Sequence, residues 1–182
     1  MQRYIEETIR FSKALNLTSV KDADEFERRF IAPSVALCRW LPERGVLLDV
    51  GSGMGVPGIP ILLRRRNLQG VLVERRKKRA EFLRHIVRLL SINATVYDCD
   101  ICDLQDVQAD VCVARAVSKP ETLLPMIETH MVAHGRAVLP VPEALDANDV
   151  SGWQIEAVDD VRFGDLNQRI HCYRRLGVSR ET

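Results

Sequence analysis

Asp49, Gly51, Gly53 and Gly55, with a second carboxylate at Glu74, are the residues whose types and spacing best suit work on a small ligand. The run Val46-Leu47-Leu48-Asp49-Val50 reads as a buried strand. Gly51-Ser52-Gly53-Met54-Gly55-Val56-Pro57-Gly58 reads as a turn opening a helix, with Pro57 in the first helical turn, where its missing N–H leaves no bond unmade. Glycine in such a turn takes positive φ and admits a ligand against the backbone with no β-carbon in the way. Glu74 closes the next apolar run, Val71-Leu72-Val73, at about the twenty-residue separation where a ribose-binding acid follows a nucleotide-binding turn.

Charge selects among nucleotide-like ligands. A pyrophosphate seeks the positive end of a helix and is repelled by an acid two residues before the first glycine. The sulfonium and ammonium of S-adenosylmethionine are attracted by the same acid. Asp49 with Glu74 therefore favours S-adenosylmethionine over a dinucleotide. A tight strand-to-helix turn without a ligand is the plainer alternative, but four glycines within eight residues exceed what one turn needs.

The chain of 182 residues has the length of one domain, and residues 1–182 are expected to form a single one: a helical extension over 1–44 and a core over 45–182. That length disfavours a dehydrogenase with a separate substrate domain. Hydrophobic content of 46% and charged content of 28% are ordinary for a globular protein. No apolar run approaches the ~20 residues of a membrane span, and the start lacks a secretory pattern. A cytoplasmic monomer with no membrane contact is expected. The five cysteines, at 38, 99, 102, 112 and 172, suit reduced thiols. Cys99 and Cys102 form a lone C-x-x-C with no histidines at ligand spacing, so no metal site is expected.

Net charge is only +1, yet ten Lys or Arg stand against two acids between Arg64 and Arg88, and five aspartates with no basic residue lie between Asn93 and Cys112. One strongly basic face is the expectation, suited to nucleic acid or simply to solvent.

Elements that must position these residues follow from periodicity. Helices are expected over 4–14 and 24–40, the latter interrupted near Pro33. Strand-helix alternation follows: strand 46–50, helix 57–66, strand 71–74, helix 76–91, strands 94–98 and 110–114, helix 120–133 and strand 136–139. Alternation of this kind specifies a parallel sheet with helices on both faces. In the 76–91 helix, Phe82, Leu83, Ile86, Val87 and Leu90 form the apolar stripe, leaving Arg84, His85 and Arg88 outward. Pro140-Val141-Pro142 should stop the fifth strand, and 154–163 with 169–176 should form a terminal antiparallel hairpin. The expected fold class is α/β, Rossmann-like, with a seven-stranded, mostly parallel sheet, a terminal antiparallel hairpin and a short N-terminal helical extension, the usual form of class I methyltransferases.

Four motifs in order resemble the glucose-inhibited division protein B methyltransferases, which modify guanine N7 in small-subunit ribosomal RNA. Asn16-Leu17-Thr18-Ser19 is similar to the family's N-L-T-S loop, and Asp49 to Pro60 to its glycine-rich turn. Lys78-Arg79 with Phe82-Leu83 is similar to its G-K-R-x-x-F-L helix start, and Ala114-Arg115-Ala116 to its S-R-A. The match spans roughly Phe11 to Leu176.

By resemblance, S-adenosylmethionine contacts fall on Gly51, Val56, Ile101, Cys102 and Arg115. Glu74 stands at the ribose and Asp100 at the adenine amino group, and Arg115 is also the candidate catalytic residue. The resemblance implies ribosomal RNA or the ribosomal subunit as partner, for which Asn16, Thr18, Ser19, Arg75, Arg76, Lys77, Lys78 and Arg79 are the candidate contacts. The chain departs from the pattern twice. H-I-L-D-S reads Phe30-Ile31-Ala32-Pro33-Ser34, and L-K-G reads Pro140-Val141-Pro142. Other readings remain open: a methyltransferase on another RNA site or a small molecule, or a non-catalytic RNA-binding relative.

Overall fold

The computed structural model describes residues 1–177. Its seven-stranded sheet has the order β3-β2-β1-β4-β5-β7-β6. The strands are β1 Gly45–Val50, β2 Leu68–Val73, β3 Ala94–Tyr97, β4 Ala109–Ala114, β5 Met131–Val141, β6 Trp153–Phe163 and β7 Leu166–Arg175. Pairing is parallel from β3 across to β5, and β7 is antiparallel to both β5 and β6. The mostly parallel sheet and its terminal hairpin agree with the sequence reading.

Side-chain parity along the central strands builds two cores. Leu47, Leu72, Val111 and Val113 face a layer containing α1 (Gln2–Leu15), α4 (Gly58–Arg64) and α5 (Lys77–Leu89). Leu48, Val50, Val71, Val73, Cys112 and Ala114 face α6 (Pro120–Ile127) on the other side. Strands buried on both faces explain why β1 and β2 read as nearly unbroken apolar runs. The same period of two sends Asp49 to the side of Leu47, beneath α4, and this fixes its role below.

The N-terminal helices belong to the first core. Tyr4 and Phe26 are fully buried with their rings edge to face at 6.1 Å, and the Tyr4 hydroxyl donates to the Met54 carbonyl of the glycine turn at 2.8 Å. His85 is half-buried instead of outward, its ring packing on Phe11 and its Nε2 lying 2.7 Å from Glu7 Oε2. It docks α1 onto α5.

Three boundaries differ from expectation. The 24–40 helix resolves into α2 (Ala23–Phe26), a π-helical turn (Glu27–Ile31), α3 (Ala32–Ala36) and a 3-10 turn (Leu37–Trp40), because Pro33 has no N–H for the Arg29 carbonyl four residues earlier. The 120–133 helix ends at Ile127, since Met131 is already in register with Ala109 of β4. Finally, β5 runs through Pro140 to Val141 where a stop is expected. Its register with β4 ends at Val138, so Pro140 has a neighbouring strand on one side only and its missing N–H is tolerated.

Candidate active site

At the C-terminal edge of the sheet, β1, β2, β3 and the loop after β4 enclose a cleft of about 430 Å³. Val50-Gly51 and Val73-Glu74 line it where β1 and β2 end, Cys99, Asp100 and Ile101 form one wall, and Ala116, Val117, Thr122 and Met126 the other. Gly51, at φ +66°, has no room for a side chain: a β-carbon there would stand 2.7 Å from Val117 Cγ2. Glu74 is buried and holds the turn open. Its Oε2 accepts from the Gly53 N–H at 2.9 Å and its Oε1 from the Arg76 N–H at 2.8 Å, leaving each oxygen a lone pair for the cleft. Asp100 Oδ1 accepts from the Cys102 N–H at 3.2 Å.

Gly51, Glu74, Asp100 and Ile101 thus converge at this cleft, whereas six other expected ligand contacts, Arg115 among them, do not line it. Asp49 is fully buried under α4. Its Oδ2 accepts from the Gly58 N–H at 3.2 Å, its carbonyl accepts from Ser52 Oγ at 2.9 Å, and its Oδ1 has no partner among the described residues. The expectation that its charge attracts the ligand is corrected: the carboxylates that reach the cleft are Glu74 and Asp100. Gly55 is a packing glycine whose β-carbon would meet Ile59 Cγ1 at 2.5 Å, and Val56 is buried below the turn. Cys102 is exposed away from the cleft, its N–H already given to Asp100. A β-carbon on Gly53 would make only ordinary contact, its nearest atom at 3.7 Å, so its φ of +58° and its N–H to Glu74 are what the turn requires of it.

Burial raises the Asp49 carboxyl from the ordinary 3.8 to about 7, with Glu74 adding in the same direction and the bond from the Gly58 N–H opposing. Between these values the folded protein holds a proton that the unfolded chain releases, so stability falls as pH rises from about 4 to about 7 and the penalty is complete above that. Asp49→Asn keeps an acceptor for Gly58 and removes the titration. The variant is expected to lose this part of the pH slope and to be at least as stable as the parent at pH 8. Urea unfolding at pH 4.5, 6 and 8 checks this, and parallel slopes for the two proteins would contradict it.

A second, larger cavity of about 700 Å³ adjoins the cleft across Ala116, Val117 and Ser118, bounded by Arg115, Pro140, Pro142 and Glu143 with Asn167 and Gln168 of the hairpin. Arg115 lines this cavity and not the cleft. Its guanidinium stands 5.1 Å from the Phe30 ring centre, and both terminal nitrogens donate to the Arg29 carbonyl at 3.2 Å. That carbonyl is the one Pro33 leaves without a helical donor. The departures Phe30 and Pro33 therefore hold the arginine from two sides. Asp110, a conceivable partner for Arg115, accepts instead from the Val46 N–H at 2.7 Å.

The basic run divides. Arg64 and Arg66 lie just before β2 and Arg75, Arg76, Lys77 and Lys78 just after it, so the two groups flank opposite ends of a six-residue strand, roughly 20 Å apart. The single basic face is corrected to two. Arg84 is taken by Asp98 at 2.6 Å and Arg65 by Glu43. Arg75, Arg76, Lys77 and Lys78 are exposed beside the cleft, which Arg75, Arg76 and Arg79 also line. Arg79 donates to the Asn16 carbonyl, and the Thr18 hydroxyl accepts from the Val20 N–H at 3.2 Å, so the loop holding Asn16, Thr18 and Ser19 is tied to the start of α5.

Residues 1–140 match the family model for rRNA small subunit methyltransferase G. The chain belongs to that family. A curated relative in Xanthomonas campestris pv. campestris, named ribosomal RNA small subunit methyltransferase G, is 30% identical over 177 residues, covering 93% of this chain and 82% of its own. The fold also matches the putative methyltransferase yhhF from Escherichia coli, with a TM-score of 0.67 and 14% identity over 88% of this chain and 90% of that one. The calicheamicin methyltransferase CalO1, solved in an S-adenosylhomocysteine-bound form, gives 0.59 and 22% over 79% and 53%. Class I methyltransferase architecture is therefore shared by proteins with little sequence in common.

Sequence reasoning missed Val117, Thr122 and Met126 in the cleft and Asn167, Gln168 and Glu143 in the larger cavity. The hairpin residues come from a segment whose sequence signal is only alternation. Pro140-Val141-Pro142 was the visible sign that this wall is unusual. Among the described residues, no three metal-ligating side chains gather and no helix is long and apolar enough to cross a membrane.

Proposed function

We propose that this chain is an S-adenosylmethionine-dependent methyltransferase that acts on N7 of a guanine in small-subunit ribosomal RNA. It acts as a single domain over 1–182, a monomer in the cytoplasm. The observation that carries the reading is the pair of adjoining cavities at the C-terminal sheet edge, one lined by Glu74, Asp100 and Ile101 and the other by Arg115. The cleft fits the cofactor chemically: two carboxylates for hydroxyl and amine donors, the apolar side chains of Ile101 and Met126 for a purine face, and Gly51 where a side chain would intrude.

When bound, S-adenosylmethionine supplies a methyl carbon on a cationic sulfur, so that as the guanine N7 lone pair bonds to carbon the carbon–sulfur bond breaks and no proton moves. Alignment is then the main task of the protein, and no general base is needed. Glu74 orients the ribose, Asp100 the adenine amino group, and Ile101 packs on the ring. Gly53, Gly55, Val56, Asp49 and the Cys102 N–H act one layer back, by shaping the turn and the wall. Arg115 orients the acceptor base from the second cavity. Asn16, Thr18 and Ser19, held by Arg79, join Arg75 and Arg76 and the lysines as RNA contacts.

The deciding experiment maps 7-methylguanine in small-subunit ribosomal RNA from cells with and without the gene, together with transfer by the purified protein. One guanine losing its methyl group on deletion and regaining it in vitro is expected. Identical maps would overturn the reading.

Lys77 and Lys78 lie outside the cofactor cleft and allow a clean test of the RNA surface. The Lys77→Ala/Lys78→Ala variant is expected to weaken RNA binding for all sequences alike and to lower the slope of log affinity against log salt by roughly 0.7 to 0.9 per lysine in contact. Cofactor affinity is expected to be unchanged. Binding across a salt series measures both, and an unaltered slope would remove α5 from the interface.

A further inference from the structure

The larger cavity has a chemical polarity that the methyl-transfer reading leaves unused. Its walls at Pro140, Pro142, Ala144 and Leu145 carry no side-chain donor, and Gln168 has spent its own. The Gln168 Nε2 donates to the carbonyls of Val141 at 3.1 Å and Arg169 at 3.2 Å. Two neighbouring acceptors fix the amide's orientation, because a flipped side chain would set oxygen against oxygen. Only the Oε1 acceptor is left for a ligand. Glu143, on the same cavity, is exposed and is engaged by no hydrogen bond or ion pair among the described residues. Arg169, a nearby cation, is held bidentately by Asp160 at 2.8 and 2.9 Å, and the exposed Lys119 also lines the cavity. Glu143 and Gln168 thus offer two acceptors, one free and anionic, one fixed and neutral, in a cavity whose side-chain donors are those of Arg115, Ser118, Lys119 and Asn167.

We infer that Glu143 and Gln168 are the specificity-determining residues for the acceptor base, reading it as guanine by accepting from its N1–H and 2-amino group. The inference rests on the proposed methyl transfer to guanine N7. The Watson–Crick edge of guanine presents two adjacent donors, and adenine places an unprotonated N1 there, which would face an acceptor with an acceptor. Apolar proline and alanine surfaces suit the flat sides of an unstacked base. The anionic partner also suits the reaction. As N7 takes the methyl group the ring becomes cationic and its N1–H more acidic, so a carboxylate at that hydrogen binds the transition state better than the starting base. Glu143 therefore contributes to turnover as well as to recognition.

The test uses small-subunit ribosomal RNA, free and assembled into subunits, with guanine or inosine ligated into the methylated position. Inosine keeps N7, O6 and N1–H and lacks only the 2-amino group. The parent protein is expected to prefer guanine by about tenfold in kcat/KM, the worth of one hydrogen bond of about 1 to 1.5 kcal/mol. In Glu143→Met/Gln168→Met the preference is expected to fall to about twofold, with cofactor affinity by calorimetry unchanged. Glu143→Met alone, at an exposed position, keeps the fold and is expected to lower kcat on guanine more than it raises KM. A double variant that keeps the full preference, or a parent with none, would overturn the assignment. A parent that binds cofactor and methylates neither RNA would overturn the function reading itself.

Discussion

Arg115→Ala is expected to lower the turnover number by about 10²- to 10³-fold while leaving the affinity for S-adenosylmethionine within about twofold. The two effects separate because the guanidinium lines the larger cavity and not the cleft of Glu74 and Asp100. An interaction made with the acceptor base counts in the rate constant, whereas a cofactor contact counts in binding. Burial, and then the charge of Arg29, lower the pKa of Arg115, but arginine stays charged throughout the working range. Arg115→Lys is expected to recover little, since a lysine cannot both stack its planar group on Phe30 and fork onto the Arg29 carbonyl. Phe30→Leu, which removes one of those two supports, is expected to cause a smaller loss of turnover in the same sense. Single-turnover rates at saturating cofactor, with calorimetry alongside, measure both quantities. An Arg115→Ala protein with full turnover and weakened cofactor binding would move this residue back into the cofactor site.

The sequence reports the sheet well because β1, β2 and β4 are buried on both faces and the hydrophobic pattern records that burial directly. The reading failed where pairing overrides local preference. Residues 131–133 follow helical residues, but a place beside β4 makes them strand, and Pro140 stays in β5 because only one neighbour needs its backbone. Neither fact is written within a few residues of the position it decides.

For the site, Glu74 and Gly51 were legible from spacing, since a turn and a strand end must meet at one sheet edge. Asp49 was misread although the needed rule was available: it shares parity with Leu47, and a residue of that parity faces the helical layer and not the ligand. The basic run was misread for a related reason. Charge counted along the chain ignores that β2 carries the chain across the sheet between Arg66 and Arg75. Gln168 and Glu143 were invisible because a long stretch of chain, including β2 to β5, separates both of them from the glycine turn. Phe30 and Pro33 looked like losses when compared with a motif, yet in the fold they are what hold Arg115.

The strongest dependence on a single carboxylate is expected at Glu74. Glu74→Ala should weaken S-adenosylmethionine binding by more than 100-fold, because two acceptor atoms on the cleft disappear together and hydrogen bonds to a charged group contribute about 1.5 to 3 kcal/mol each. The same change should lower stability by roughly 1 to 3 kcal/mol, since the Gly53 and Arg76 N–H groups lose their partner and the turn that Gly51 and Gly53 form at positive φ loses its brace to β2. Glu74→Gln separates the two consequences. Its amide oxygen can still accept from Gly53, so most of the stability returns, whereas the amide nitrogen cannot accept from Arg76 or from a hydroxyl, so binding stays weak. Paired calorimetry and urea unfolding of the three proteins give the answer. If Glu74→Ala binds cofactor normally, the cleft between β1 and β3 is not where the nucleoside sits, whatever its stability shows.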